Sequence, residues 1–305
     1  MTEQVAFIGL GNMGGPMAAN LVRAGFSVRG FDPAKEAAES ASAAGVEIAD
    51  SAAGAAAGAS TVLTMLPTGQ HLLEVYESGV LDVLAPGALL IDSSTIAVAD
   101  SRDAAGRVSV AGGRFIDAPV SGGVGGAEAG TLTFMVGGAE ADVVEAGTVL
   151  EPMAGRIVHC GEVGAGQAAK ICNNLILGIT MVGVSEAFVL GERLGLTHQA
   201  LFDVASTASG QCWALSTNCP VPGPVPTSPA NRDYVPGFAS PLMAKDLTLA
   251  MMAADETLTG ARLGRLATDI YREFARDQGR TLDFSAVIDM VRSQHQDPTA
   301  EGRTL

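Results

Sequence analysis

Only three of the 18 basic side chains in this 305-residue chain are lysines, and the other 15 are arginines. Lys170 lies in Gly164-Ala-Gly166-Gln-Ala-Ala-Lys170-Ile-Cys-Asn173-Asn174, with Gln167 three residues before it and Asn174 four after. On a helix those spacings put the three side chains on one face. The neighbours of Lys170 are Ala, Ile, Cys and Leu, and a snorkelling lysine is the ordinary alternative. Arginine keeps its proton, whereas a desolvated lysine can release one. Proton exchange with a substrate oxygen is therefore the chemistry that Lys170 suits. Lys245, in Leu242-Met-Ala-Lys-Asp246-Leu247, has a similar apolar setting, with a structural Lys–Asp pair as its alternative. Lys35 is an ordinary surface cation.

A second pattern suits phosphate binding. Gly9-Leu10-Gly11-Asn12-Met13-Gly14 follows an apolar run and precedes a helical stretch ending near Gly25, and Asp32 comes 18 residues after Gly14. Gly9 suits the tight turn, Gly11 close approach of a diphosphate, and Gly14 close packing of helix on strand. The helix N-terminus adds N–H donors and partial positive charge. Asp32 would accept hydrogen bonds from both hydroxyls of an adenosine ribose and repel a 2′-phosphate. Arg29 lies inside the strand, so NAD is expected rather than NADP. A glycine turn serving packing alone is the alternative. Leu66-Pro67-Thr68 and Ser93-Ser94-Thr95 each end an apolar run, where loops line the ligand crevice of such folds.

Asp117-Ala-Pro119-Val120-Ser121-Gly122-Gly123-Val124-Gly125-Gly126 follows another apolar run. A serine hydroxyl followed by consecutive glycines exposes backbone N–H groups, as a small carboxylate requires. A flexible loop is the alternative.

The elements needed to position these groups are legible. Short apolar runs at 5–8, 26–28, 61–66, 88–91, 115–118 and 132–136 alternate with Ala-rich helical stretches. That alternation predicts a Rossmann-type α/β domain with a doubly wound, mainly parallel sheet. The charges in 34–60 fit the solvent face of one Ala-rich helix and the connection after it. Past Gly161 no strand run of comparable strength appears, and 167–193 lacks proline and predicts one long helix. Further helical segments fall near 197–208, 241–256, 260–277 and 283–292, interrupted by the Pro-rich stretch 219–236. The expected division is a dinucleotide-binding domain at 1–163 and an all-helical C-terminal domain at 164–305, joined by the long helix.

Composition narrows the partners. The formal net charge is −15, which disfavours nucleic acid and anionic membranes. Ser185 and Glu186 within the apolar stretch 175–190 argue for a buried helix over a membrane span. The four cysteines form no CxxC pair and the histidines are scattered, so no metal site is signalled. A reducing cytoplasm is the expected setting.

Taken together, the chain resembles the β-hydroxyacid dehydrogenase family. The resemblance rests on FIGLGNMGGPMAANL at 7–21, TMLPTG at 64–69, IDSSTI at 91–96 and DAPVSGGVGGAEAGTLTFMVGG at 117–138. It continues through GAGQAAKICNN at 164–174, CWALSTNCPVPG at 212–223 and GFASPLMAKDL at 237–247. The resemblance implies a catalytic role for Lys170 and substrate binding by Ser121, Gly122, Gly123 and Asn174. It implies dinucleotide binding by Gly9, Leu10, Gly11, Asn12, Met13, Gly14, Asp32, Leu66, Pro67, Thr95 and Lys245, with Phe238 lining the nicotinamide pocket. Val124 after the SGG run is similar to the members that oxidise 3-hydroxyisobutyrate to methylmalonate semialdehyde in valine catabolism. Reductases of glyoxylate or tartronate semialdehyde tend to carry a charge there. NAD is the implied cofactor, a small hydroxy-carboxylate the substrate, and a homodimer or homotetramer the assembly. The alternatives are members acting on tartronate or succinic semialdehyde, glyoxylate or L-serine, or a dinucleotide-binding scaffold without catalysis.

Overall fold

The computed structural model describes residues 4–293. The chain divides into two compact units, one ending at Lys170 and one beginning at Ile171. The first unit contains, in order, β1 (Gln4–Ile8), α1 (Gly14–Arg23), β2 (Ser27–Phe31), α2 (Lys35–Ala43), β3 (Glu47–Ile48), α3 (Ala52–Ala56), β4 (Thr61–Thr64) and α4 (Gly69–Val75). After these come β5 (Leu89–Asp92), α5 (Val98–Val110), β6 (Arg114–Asp117), β7 (Val120–Ser121), α6 (Gly123–Ala129), β8 (Leu132–Gly137), α7 (Glu140–Leu150) and β9 (Ala154–Gly161).

Strands β3-β2-β1-β4-β5-β6 pair in that order, and every one of these pairings is parallel. The order reverses between β1 and β4, and in such sheets ligands bind in the crevice beyond the carboxyl ends of the strands at that switch. Successive side chains point to opposite faces. Val5 and Phe7 of β1 enter one core with Leu63, Leu89, Ile91 and Ile116, under Met17, Ala18 and Leu21 of α1. Ala6 and Ile8 enter the opposite core with Val62, Leu90 and Phe115, under Ala56 of α3, Leu72 of α4 and Val108 of α5. Both faces of the sheet are thus covered, which explains the unbroken apolar runs.

The far edge departs from the parallel pattern. β6 and β7 pair antiparallel with the same strand, β8, in one register, and are interrupted at Pro119, which cannot donate to a ladder but whose carbonyl accepts from Met135 N–H at 3.0 Å. β9 adds to β8 in parallel. The sequence reading contains neither β9 nor β3. β9 reads Ala-Gly-Arg-Ile-Val-His-Cys-Gly and buries no residue fully, so it lacks an apolar signature. The stretch 34–60, read as one helix and a connection, instead holds α2, β3 and α3, the last capped by Ser51 accepting from Gly54 N–H at 3.0 Å.

α8 (Ala165–Arg193) starts in the first unit and continues into the second; its 29 residues span ~44 Å at 1.5 Å per residue. The second unit adds α9 (His198–Ala205), α10 (Trp213–Ser216), α11 (Ser240–Glu256), α12 (Arg262–Arg276) and α13 (Val287–Ser293). Length and composition alone would let α8 cross a membrane. Its Met181 and Val182, however, pack into a core with Met243 and Leu247 of α11 and Tyr271 and Phe274 of α12. Phe188 and Val189 pack into another with Leu215, Val221 and Ile288. The Pro-rich stretch is pinned by side chains: Asn231 Nδ2 donates to Val225 O at 2.8 Å and Tyr234 Oη to Pro220 O at 2.8 Å.

Candidate active site

The turn after β1 has the shape the glycine spacing predicts. Gly9 adopts φ +94°, and a Cβ there would lie 2.2 Å from Met65 O. A Cβ on Gly14 would lie 1.9 Å from Gly9 O and 3.0 Å from the Phe7 ring. At Gly11 a Cβ would meet nothing within 4 Å, so no protein group demands that glycine. Beside it runs a groove of about 640 Å³ lined by Leu10, Gly11, Asn12, Ala34 and Val124, among others. No side chain caps α1 and its first turn carries no carboxylate, which leaves that end suited to an anion. The open space at Gly11 and the uncapped helix fit a diphosphate.

Asp32 is tied into this turn. Its Oδ2 accepts from Leu10 N–H at 2.7 Å and its Oδ1 from Ala34 N–H at 2.8 Å. A carboxylate offers about four acceptor positions, so two bonds leave capacity for ribose hydroxyls. Arg29 is paired with Glu47, Nε to Oε1 at 3.3 Å.

The walls after β4 and β5 share one buried network. Asp92, fully buried at the end of β5, accepts through Oδ1 from Thr64 Oγ1 at 2.7 Å and Ser94 Oγ at 2.6 Å. Ser94 Oγ in turn accepts from Leu66 N–H at 2.8 Å, which fixes the first residue of the Leu66-Pro67 turn. Burial pushes the Asp92 carboxyl up to about 6, against the bonds from Ser94 and Thr64. The same burial, reinforced by the charge of Asp92, raises the Tyr76 hydroxyl well above its ordinary value.

Asp117 at the end of β6 is also fully buried, and it holds the start of α8. Its Oδ1 accepts from Gly164 N–H at 2.6 Å and its Oδ2 from Gln167 N–H at 2.7 Å. Burial raises this carboxyl and the backbone donors pull it back. Ser121 follows four residues later on β7, half-buried, and Gly122 and Gly123 adopt φ +140° and +63°. One carboxylate thus ties the strand leading into the serine–glycine loop to the first turn of the helix that carries Lys170. Lys170 itself is only 7% exposed.

In the second unit Asn174 Nδ2 donates to Asp246 Oδ2 at 2.6 Å, while its Oδ1 accepts from Asn173 Nδ2 at 3.0 Å. One amide hydrogen of Asn174 is therefore committed to Asp246 and the other is available. Lys245 Nζ lies 3.7 Å from Asp246 Oδ1, so the Lys–Asp contact weighed from sequence is present. Phe238 is half-buried; its N–H and that of Gly237 both donate to Asp283 Oδ2 at 3.0 Å. Asp283 Oδ1 accepts from Ser285 Oγ at 2.7 Å and Asn218 Nδ2 at 3.3 Å.

Sequence reasoning missed Asp92, Asp117, Gln167 and Asp283 as site-building residues. The first three stand inside or beside motifs that it quoted, but nothing in their spacing names partners dozens of residues away.

Comparison with known proteins adds family relations to this geometry. Residues 4–161 match the NAD binding domain of 6-phosphogluconate dehydrogenase, and residues 164–291 match the NAD-binding domain of NADP-dependent 3-hydroxyisobutyrate dehydrogenase. A Mycobacterium tuberculosis protein named "Probable 3-hydroxyisobutyrate dehydrogenase" is 57% identical, over 95% of this chain and 98% of that one. The mitochondrial 3-hydroxyisobutyrate dehydrogenase of Homo sapiens is 45% identical, over 95% of this chain and 87% of that one. The solved structure of Mycobacterium tuberculosis 3-hydroxyisobutyrate dehydrogenase with L-serine superposes with a TM-score of 0.92 at 56% identity, covering 96% of this chain and 100% of that one.

Proposed function

The chain belongs to the 3-hydroxyisobutyrate dehydrogenase family of nicotinamide-dinucleotide oxidoreductases, and from that premise we propose that it oxidises 3-hydroxyisobutyrate to methylmalonate semialdehyde with NAD, as a step of valine catabolism. The observation that carries the chemistry is Lys170, buried on the first turns of a helix that Asp117 caps.

A bound nicotinamide dinucleotide supplies the hydride acceptor. Gly9–Gly14 and the N-terminus of α1 take its diphosphate, and Asp32 takes the adenosine ribose. Asp32 repels a 2′-phosphate, and Arg29, engaged with Glu47, does not offset that repulsion. Leu66, Pro67 and Thr95 wall the crevice. Ser121 Oγ and the backbone N–H groups of Gly122 and Gly123 hold the substrate carboxylate. Lys170 accepts the proton from the hydroxyl oxygen as hydride leaves the carbon that bears it, so that the carbon–oxygen bond becomes a carbonyl, and the ammonium so formed stabilises oxygen anion character during the transfer. On a chain of net charge −15, the backbone N–H groups of Gly122 and Gly123 supply local attraction for an anionic substrate.

L-Serine carries the same hydroxyl β to a carboxylate and is named with the M. tuberculosis structure, which makes it the second reading. Steady-state kinetics on 3-hydroxyisobutyrate, L-serine, D-glycerate, glycolate and 4-hydroxybutyrate, each with NAD and NADP, decide between them. The expected result is the highest kcat/KM for 3-hydroxyisobutyrate with NAD. A higher value for L-serine, or for NADP, overturns that part of the reading. NAD binding without turnover of any of these substrates overturns the enzymatic reading itself. The proposal includes a homodimer or homotetramer, since Ile176, Leu190, Leu194, Leu263 and Leu266 are exposed apolar side chains; a monomer by light scattering overturns it.

A further inference from the structure

Gln167 is completely buried, yet the reaction just described gives it no role. Its side-chain amide makes two hydrogen bonds: Nε2 donates to Ser94 O at 2.7 Å, and Oε1 accepts from Ile96 N–H at 3.1 Å. Those two backbone groups flank Thr95. The amide therefore grips the residue proposed as a dinucleotide contact from both sides, much as a paired strand would. Its own backbone N–H is fixed by Asp117 Oδ2 at 2.7 Å. Gln167 precedes Lys170 by one helical turn, so the two share a face of α8. Ser94 is itself bound through Oγ to Asp92 and to Leu66 N–H. A run of hydrogen bonds, part-buried at Leu66 and buried beyond it, thus leads from the Leu66 turn through Ser94 to the helical turn before Lys170, with Thr95 held between the two groups that Gln167 binds.

Resting on the reading of Lys170 as the proton acceptor, we propose that Gln167 is a positioning residue that couples the dinucleotide-facing turn at Thr95 to the placement of Lys170. A residue needed only for packing would contribute through its shape. Two well-directed bonds to the main chain on either side of a single residue transmit displacement as well as fill space. When a dinucleotide settles against Thr95, the turn and the first turns of α8 move together.

The test uses Gln167→Met, which keeps chain length and apolar volume and removes both bonds, with Gln167→Glu as a second variant that retains an acceptor for Ile96 N–H and loses the donor to Ser94 O. The first readout is the rate at which Lys170 is acetylated by acetic anhydride, followed by mass spectrometry, with and without saturating ADP-ribose. That ligand carries the ribose next to the missing nicotinamide but no ring to shield the amine. In the wild-type protein ADP-ribose should change the Lys170 rate while that of Lys35 stays constant. In Gln167→Met the response should vanish although calorimetry still detects ADP-ribose. The second readout is steady-state kinetics: kcat should fall on the order of 100-fold, the loss typical of a misplaced reacting group, with the Kd for NAD within about threefold.

An ADP-ribose response of equal size in wild type and variant overturns the proposal, as does a variant with wild-type kcat. Should neither variant fold, the wild-type labelling decides alone: no response of Lys170 to ADP-ribose overturns the coupling and a response supports it. A coupled labelling response in a protein with no hydroxy-acid turnover would instead overturn the catalytic reading and leave the coupling standing.

Discussion

After β1 the chain turns through Gly9–Gly14, and after β5 through Ser93–Ile96, and both turns stand at the carboxyl edge of the same sheet. The first is shaped by missing side chains: Gly9 and Gly14 lie so close to main-chain atoms of Met65 and Gly9 that no Cβ fits. The second is shaped by buried ones, with Asp92, Ser94 and Gln167 holding the backbone by hydrogen bonds. A turn made by sterics is rigid and presents bare N–H groups. A turn made by a polar network can register a ligand and transmit its presence, at the cost of keeping a carboxyl out of water. The first arrangement suits an invariant diphosphate, and the second suits the side of the crevice where the proposed chemistry would be done.

The largest effect should come from the chemistry that the second arrangement serves. Lys170→Ala should lower kcat by about 10²–10⁴-fold, the span of general acid–base contributions, with the Kd for NAD unchanged by calorimetry. Lys170→Arg should fail almost as badly, because arginine keeps its proton. Wild-type turnover in either variant would detach Lys170 from proton transfer and leave the network at β5 without a catalytic purpose.

Next comes a break in the steric turn. Gly14→Ala places a methyl 1.9 Å from Gly9 O and against Phe7, so α1 must move off the sheet. Overpacking of this kind costs about 1–3 kcal/mol, a fall in Tm of about 2–12 °C on the scale of domains of 150–250 residues. Thermal unfolding checks it, and an unchanged Tm would mean that the turn is held by something other than close approach.

The two turns also differ in what a sequence can disclose. Glycine spacing encodes a local shape, and Lys170 stands out because the chain so seldom uses lysine, so the fingerprint, the strand–helix alternation and the catalytic candidate were all legible. Gln167 and Asp117 were present in the quoted motifs, but their roles depend on partners 73 and 47 residues away, Ser94 and Gly164. Such pairings exist only after the sheet has ordered β5 and β6 side by side. β9 stayed hidden for a related reason: an edge strand that buries no residue fully has no need of an apolar run.

The polar turn should be sensitive to pH where the steric turn is not. The Asp92 carboxyl rises from 3.8 to about 6 in the folded protein, chiefly through burial. The folded state therefore holds a proton that the unfolded chain releases. Its stabilisation is complete below about pH 3.8 and is lost as pH rises through about 6, a swing on the order of 3 kcal/mol by pH 7. Asp92→Asn keeps an acceptor for Ser94 and Thr64 and removes the titration. Denaturant melts of both proteins should show the variant gaining on the wild type between pH 4 and 7. A difference that does not vary with pH would mean that Asp92 is charged at no cost, and the contrast between the turns would lose its electrostatic half.

The smallest effect on the fold, and the sharpest separation of shape from binding, lies at Gly11. A Cβ there meets nothing within 4 Å, so Gly11→Ala should leave stability within about 0.5 kcal/mol of wild type, as at other exposed positions. The same methyl enters the space that a diphosphate needs beside the N-terminus of α1. Loss of that close approach should weaken NAD by about tenfold, or 1.4 kcal/mol, measurable by calorimetry on a protein whose melting curve is unchanged. Gly14→Ala and Gly11→Ala, three residues apart in one turn, would then separate cleanly into a folding defect and a binding defect. If Gly11→Ala binds NAD as well as the wild type, the diphosphate does not pass over this glycine, and the groove lined by Leu10, Asn12 and Val124 must carry it by another route.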